Sequence, residues 1–158
     1  MATVKHDEKL MVWGCFAANG VGDLHMVKGI MLKEQYHQIL QKHMRPSAHR
    51  LFPDKNYIFQ QDNDPKHTAH IIRDYIANQG IETFDWPAQS PDLNPIENLW
   101  GELDRQLKGR KVSTLPELLE ALKEGWNNLE VDLLRKLVHS MPRRCAAVIK
   151  ANGYATKY

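Results

Sequence analysis

A short apolar run near the start of the chain, followed by alternating strand-like and helix-like patterns, restricts the possible folds most strongly. Leu10 to Phe16 is rich in apolar, aromatic and β-branched residues, which is typical of a buried strand. Asn19 to Gly22 contains residues that tolerate positive φ and predicts a turn, so Asp23 to Val27 is expected to be the second arm of a hairpin. The pattern as a whole predicts an α/β protein in which helices flank a mixed sheet.

The alternation of strands and helices continues beyond this hairpin. The further predicted elements are strands at residues 57–61 and 81–86 and helices at residues 33–44, 67–78, 95–107, 115–126, 133–139 and 143–152. Pro46 is expected to end the first of these helices and Gly80 the second. Thr114 and Glu117 have the spacing of a capping box at the start of the fourth.

Length and composition exclude several classes of protein. A chain of 158 residues with 42% hydrophobic residues fits one globular domain, and no repeat or linker indicates a boundary within residues 1–158. No apolar run approaches the roughly 18 residues of a membrane helix. Cys15 and Cys145 lack metal-ligand spacing, which argues against a zinc site and favours reduced thiols in an intracellular protein. The net charge of +2 is too small to identify nucleic acid as a partner by itself.

Two acidic residues stand where an α/β protein could hold a metal ion. Asp62 directly follows the predicted strand at 57–61, and Glu97 lies in the first turn of the helix after a proline-rich loop. Crevices at strand ends commonly bind ligands, and carboxylates on rigid elements suit magnesium or manganese. Taken singly, however, an Asp after a strand is commonly a turn former, and a Glu in a first turn commonly complements the helix dipole. The residues alone leave both interpretations open.

Two longer sequence blocks favour the metal-site interpretation. Phe59 to Thr68 (FQQDNDPKHT) and Trp86 to Trp100 (WPAQSPDLNPIENLW) closely resemble the two signature blocks of mariner-superfamily transposases. In the Tc-one-like branch, 34 residues separate the second and third acids of an Asp, Asp, Glu triad, and here 97 − 62 − 1 also gives 34. Further matching segments are VWGCF at 12–16, SMPRR at 140–144 and ATKY at 155–158.

The resemblance implies a ribonuclease-H-like fold and an enzyme that cuts DNA at transposon ends and joins them to a target. Asp62 would match the second acid of the triad and Glu97 the third, both catalytic and both ligands of Mg²⁺ or Mn²⁺. A water attacks first in this family, and the freed 3′-hydroxyl then attacks target DNA. The implied partners are the DNA of transposon ends and target and a possible homodimer copy, in the nucleus and without a membrane.

One part of the family pattern is not matched. The first aspartate of the triad lies on a strand upstream of the segment that resembles Met11 to Phe16, and in the family that strand lies between the equivalents of Leu10–Phe16 and Tyr57–Gln61. We therefore expect a ribonuclease-H-like domain truncated at its N-terminus, without helix-turn-helix domains, that does not cleave DNA alone. The alternative is a transposon-derived, non-catalytic DNA-binding or protein-interaction module.

Basic residues near the two acids are candidate DNA contacts. Lys66 and His67 follow Asp62 closely enough to reach a phosphate near the metal, although a polar turn and helix start explain them equally well. A basic run after the Glu97 helix could also bind phosphates or form a solvated helix end, and it comprises Arg105, Lys108, Arg110 and Lys111. A second basic patch is better explained as solvated surface, and it comprises Arg143, Arg144 and Lys150.

Overall fold

Within residues 2–4, 10–84, 91–154 and 156, which the computed structural model describes, the chain forms five strands and seven α-helices. The strands are β1 (Ala2–Val4), β2 (Leu10–Ala17), β3 (Gly20–Val27), β4 (Ile58–Phe59) and β5 (Glu82–Thr83). The helices are α1 (Lys33–Ile39), α2 (Arg45–Leu51), α3 (His70–Asn78), α4 (Ile96–Leu107), α5 (Leu115–Asn127), α6 (Val131–His139) and α7 (Met141–Lys150). None of the described helices combines the length and apolar character needed to cross a bilayer.

The strands form two separate sheets. β2 and β3 make the antiparallel hairpin predicted from the sequence, with Met11 opposite Val27, and β1 pairs antiparallel with the start of β2. β4 and β5 form a parallel pair in which Ile58 lies opposite Glu82. The predicted strand at 57–61 is therefore shorter than expected, and the end of the strand predicted at 81–86 lies outside the described residues.

β2 is covered by helices on both faces. Successive strand residues point to opposite sides, so Val12 packs into one hydrophobic layer and Trp13 into the other. The α1–α3 layer contains Trp13 together with buried residues of α1, α2 and α3, and the α4–α6 layer contains Val12 together with those of α4, α5 and α6. Trp126 links the α4–α6 layer to the hairpin through a hydrogen bond, in which its buried indole N–H donates to the Gly22 carbonyl at 2.8 Å. The α/β prediction is confirmed by this arrangement, although the antiparallel and parallel strands among the described residues form two sheets and not one mixed sheet.

The helix predicted to end at Pro46 continues to Leu51, so that prediction is wrong. A π-helical segment, Leu40–Met44, joins α1 to α2, and the Arg45 amide donates to the Leu40 carbonyl five residues back. This widened turn places Pro46 at the second residue of α2, and the backbone stays helical across the junction.

Two predicted helix boundaries are confirmed. Gly80 follows the end of α3 with a φ of +62°, a conformation that glycine adopts without steric cost. At the start of α5 the Glu117 amide donates to the Thr114 hydroxyl at 3.4 Å, and the Thr114 amide donates to the Glu117 carboxylate at 3.2 Å. The capping box therefore forms as its spacing indicates.

A cleft of about 540 Å³ lies between β2 and β4. One wall is formed by residues 13–19 and another by residues 57–62, and Tyr36, His67 and the segment Asn94 to Ile96 also line it. The resemblance places the first strand of the family sheet between the strands that form these two walls. The cleft brings the end of β4 close to the start of α4, which are the two places where the sequence predicts metal-binding acids.

Candidate active site

Asp62 lies three residues beyond β4 and lines the cleft. Its side chain is 43% exposed, and its Oδ1 accepts hydrogen bonds from His67 Nδ1 at 2.5 Å and from the Asp64 amide at 3.2 Å. The hydrogen bond from His67 is the main cause that lowers the pKa of Asp62 to about 2. Asp62 is therefore ionised at neutral pH, and Oδ2 is the oxygen that remains for a cation.

His67 is buried behind Asp62 and holds it in place. The residue is 5% exposed, and its ring packs against the Tyr36 ring with centroids 4.0 Å apart. The Tyr36 hydroxyl donates to Gln61 Oε1 at 2.6 Å, and Gln61 Nε2 donates to the His67 carbonyl at 3.4 Å. His67 Nε2 is buried and has no hydrogen-bond partner among the described residues. The imidazole is thus almost inaccessible to solvent although His67 borders the cleft, an environment that the sequence did not indicate.

Glu97 stands on the first turn of α4, beside the cleft. Pro95 precedes the helix, and the Glu97 amide donates to the Asn94 carbonyl at 3.2 Å. Gln60, on the strand side, donates through Nε2 to the Leu93 carbonyl at 2.7 Å and so joins the segment of Asp62 to the turn that leads into Glu97. The Glu97 side chain is exposed and lies outside the cleft lining. The convergence of the two carboxylates on one cation stays a prediction.

The side chains of Asp62 and Glu97 offer the type of ligand atom that a hard divalent cation binds. Carboxylate oxygens are the ligands that Mg²⁺ and Mn²⁺ prefer, and the lowered pKa of Asp62 favours its charged form. In the part of the chain that the structure describes, no three His, Cys, Asp or Glu side chains come together as a complete metal site. Asp62 and Glu97 are thus two candidate ligands of a site that needs further donors.

The predicted DNA-contacting cations occupy different environments. Lys66 Nζ pairs with Asp64 Oδ2, and the lysine side chain is 20% exposed. In the basic run, Arg105 pairs with Glu102, Lys108 with Asp104 and Arg110 with Glu124, whereas Lys111 is exposed at the end of this segment. Exposed ion pairs contribute little, so phosphates could displace the carboxylates. The DNA-contact role of these residues stays a prediction, and for His67 its burial speaks against a phosphate contact in this arrangement.

Arg144 is a residue whose role the sequence did not reveal. The expectation of solvated surface is wrong for this side chain, because Arg144 is 3% exposed while the neighbouring Arg143 is exposed. Its guanidinium donates to the Asp92 carbonyl at 2.9 Å and to Asn98 Oδ1 at 2.7 Å. The sequence feature that pointed to a role for Arg144 was its place in the SMPRR segment. A sequence match does not tell, however, which of two adjacent arginines is buried.

Comparison with known proteins places this geometry in a family. The model of the DDE superfamily endonucleases matches residues 2–119. The transposase of the Caenorhabditis elegans transposable element Tc1 is 46% identical over 157 residues, which cover 99% of this chain and 57% of the relative. The Caenorhabditis briggsae Tcb1 transposase is 44% identical with the same coverage. The chain thus spans little more than half the length of these relatives.

Solved structures agree on the fold. The catalytic domain of the mariner transposase Mos1, solved with Raltegravir and Mn, superimposes with a TM-score of 0.89 at 22% identity and covers 99% of this chain and 82% of that one. This similarity confirms the ribonuclease-H-like fold expected from the sequence. With 75% of its residues (118 of 158) inside the family match, the chain belongs to the DDE superfamily endonucleases, within the Tc1-like branch of the mariner transposases.

Proposed function

We propose that this chain supplies Asp62 and Glu97 as two metal-binding carboxylates of a transposase that cuts transposon ends and joins them to target DNA. The relatives named above are transposable-element transposases, and Mos1 has been solved as a paired-end complex with a left transposon end. The observation that carries the proposal is a shared cleft edge: Asp62 and the turn into Glu97 both border it, joined by the 2.7 Å hydrogen bond from Gln60 to Leu93.

The proposed cofactor is Mg²⁺ or Mn²⁺. The Mos1 catalytic domain has been solved with each of these metals, and carboxylate oxygens match their chemistry. Such ions, when bound, promote attack on a phosphodiester by stabilising the attacking and leaving oxygens. The hydrogen bond from His67 further stabilises the charged form of Asp62, and the chain presents Glu97 from the first turn of a helix.

DNA is the proposed partner, in the nucleus and within an assembly that includes a second copy of the chain. Phosphate contacts are assigned to Lys66 and to the basic run, which comprises Arg105, Lys108, Arg110 and Lys111. The cations of the basic run that form ion pairs are exposed, so phosphates can replace their carboxylate partners at little cost, whereas the pair of Lys66 with Asp64 is partly buried. We omit His67 from this set because the residue is 5% exposed and already engages Asp62.

Manganese binding to the 158-residue chain tests the metal site. A titration followed by electron paramagnetic resonance, which detects the free ion, is expected to show one weak site. Asp62→Asn and Glu97→Gln should each lower the affinity about tenfold or more, because each removes an ionised ligand. Asp104→Asn removes an exposed carboxylate from the same helix as Glu97 and should leave the affinity unchanged. Equal affinities in the native chain and both site variants would refute the proposal.

The same chain is not expected to cleave DNA. Two carboxylates can hold one ion loosely, whereas phosphoryl transfer with two ions needs more ligands in a rigid arrangement. Incubation with supercoiled plasmid and Mg²⁺ should therefore leave the plasmid intact. Magnesium-dependent nicking that disappears in Asp62→Ala would show that these 158 residues suffice for the chemistry.

A further inference from the structure

Arg144 is a buried cation on the first turn of α7. The residue is 3% exposed, although a guanidinium is costly to bury unless its donors are satisfied. Its Nε donates to Ser140 Oγ at 2.8 Å, and its two terminal nitrogens donate to the Asp92 carbonyl at 2.9 Å and to Asn98 Oδ1 at 2.7 Å. Because the guanidinium plane is rigid, it fixes these three acceptors relative to one another.

Two of the acceptors lie on either side of the segment that leads into Glu97. Asp92 belongs to the 3₁₀ turn Pro91–Leu93, and Asn98 directly follows Glu97 on the first turn of α4. A second contact holds the same turn, because the Asp92 carboxylate accepts the Thr156 amide at 2.5 Å. The turn that precedes Glu97 is thus contacted both by Arg144 of α7 and by Thr156.

The turn is also tied to the segment that carries Asp62. Gln60 Nε2 donates to the Leu93 carbonyl at 2.7 Å, and Gln60 precedes Asp62 by two residues. Leu93 is 3% exposed, and the hydrogen bond itself is partly buried. A continuous path of contacts therefore runs from Arg144 through the turn to Gln60 and to the start of the Asp62 segment.

From these contacts we infer that Arg144 is a positioning residue that sets the placement of the two acid-bearing segments relative to each other. It acts through Asp92 and Asn98 on the Glu97 side and through the Leu93–Gln60 bond on the Asp62 side. The consequence for cation binding rests on the proposed function, whereas the consequence for the order of the turn does not.

A positioning role and a purely structural role predict different patterns of amide exchange. If Arg144 only added to the stability of the core, its loss would accelerate the exchange of all globally protected amides together. If it positions the turn, its loss accelerates exchange locally. The informative amides are those of Glu97 and Asn98, which donate to the carbonyls of Asn94 and Pro95 at 3.2 Å, and that of Asp64, which donates to Asp62 Oδ1 at 3.2 Å.

Hydrogen exchange by nuclear magnetic resonance on Arg144→Gln, with Arg143→Gln as the matched exposed control, makes the first test. We expect Arg144→Gln to accelerate exchange at Glu97 and Asn98 by about tenfold or more relative to the amides of β2, the loss expected when hydrogen bonds to a charged group are removed. A smaller acceleration is expected at Asp64, and Arg143→Gln should change none of these rates. Uniform acceleration, or none at Glu97, would overturn the inference.

Two further variants keep the test decisive if Arg144→Gln folds poorly. Asn98→Ala removes one exposed acceptor, leaves Arg144 in place, and should accelerate exchange at Glu97. Arg144→Lys keeps the positive charge. A single ammonium group cannot reproduce the planar arrangement of guanidinium donors, so this variant should behave like Arg144→Gln. Native exchange rates in Arg144→Lys would overturn the inference, because charge alone would then suffice.

Manganese affinity gives the second readout. With the chain fully folded, Arg144→Gln is expected to weaken the Asp62- and Glu97-dependent binding about tenfold, within the range for residues that orient ligands. If Arg144→Gln binds manganese as tightly as the native chain does, and binding by the native chain depends on both acids, the inference is overturned and the proposed function stays intact. Native binding that depends on neither acid would instead refute the proposed function, and the exchange pattern alone would then decide whether Arg144 positions the turn.

Discussion

The contact between Asp62 and His67 shows how one buried side chain stabilises the charged form of an acid that we propose as a metal ligand. A carboxylate beside a buried imidazole N–H is stabilised in its charged form, which accounts for the lowered pKa of Asp62. The Tyr36 ring packs against the imidazole, and the Gln61 side chain links the Tyr36 hydroxyl to the His67 backbone carbonyl. The residue that was expected to contact phosphate is therefore better placed to hold the acid.

Replacing His67 tests this arrangement by its effect on stability. His67→Ala should lower the free energy of unfolding by about 2 to 4 kcal/mol, because it leaves a cavity against Tyr36 and removes the partner of Asp62. His70→Ala, at an exposed position on α3, serves as the control and should stay within about 0.5 kcal/mol of the native chain. Urea denaturation measures both, and a similar cost for the two variants would contradict the bracing role.

At the scale of elements, β2 meets α4 and α5 at a glycine. A Cβ on Gly14 would lie 2.9 Å from the Trp100 ring and 3.1 Å from the Trp126 ring, and these two rings stack with centroids 5.1 Å apart. Gly14 therefore allows the stacked indoles to approach the strand directly. The close contact explains why a glycine stands inside a strand, where it is otherwise unfavourable.

Two glycine substitutions should act in opposite directions. Gly14→Ala is expected to destabilise the chain by about 1 to 3 kcal/mol, since the indoles must shift within a packed layer. Gly101→Ala, on an exposed face of α4 with open space around the position, should stabilise it by about 0.5 to 1 kcal/mol through helix propensity. Thermal unfolding followed by circular dichroism measures both, and a stabilising Gly14→Ala would exclude the tight contact.

At the scale of the whole molecule, the two hydrophobic layers share the β2–β3 hairpin. Ile72, in the α1–α3 layer, and Leu99, in the α4–α6 layer, are both fully buried. Trp13 and Val12 are adjacent in β2 and belong to different layers, so disorder in one layer removes support from the other. This arrangement favours unfolding as one cooperative unit.

Cavity variants in each layer test this cooperativity. Ile72→Ala and Leu99→Ala should each cost about 2 to 5 kcal/mol and keep a single transition that coincides in circular dichroism and tryptophan fluorescence. Ile71→Ala removes a side chain that is 37% exposed beside Ile72 and should cost clearly less. Two separate transitions in either core variant would show that the layers unfold independently.

The local elements and the acid positions could be predicted from the sequence. Apolar periodicity identified the hairpin and most helices, and the spacing of Thr114 and Glu117 identified a capping box, because these features depend on residues close in the chain. The two signature blocks and the spacing of 34 residues predict Asp62 and Glu97 as the second and third acids of the family triad, and this role stays a prediction. Pro46 was misjudged because a π-helical turn, which no local pattern indicated, accommodates it.

Only the tertiary structure decided which polar side chains are buried and what they hold. Arg143 and Arg144 are adjacent and chemically identical, yet Arg144 alone reaches Asp92 and Asn98, which lie 52 and 46 residues away. His67 likewise contacts and stabilises Asp62 because α1 places Tyr36 against the His67 ring. Helix and strand patterns follow from interactions over a few residues, whereas burial follows from contacts that form only when distant segments pack together.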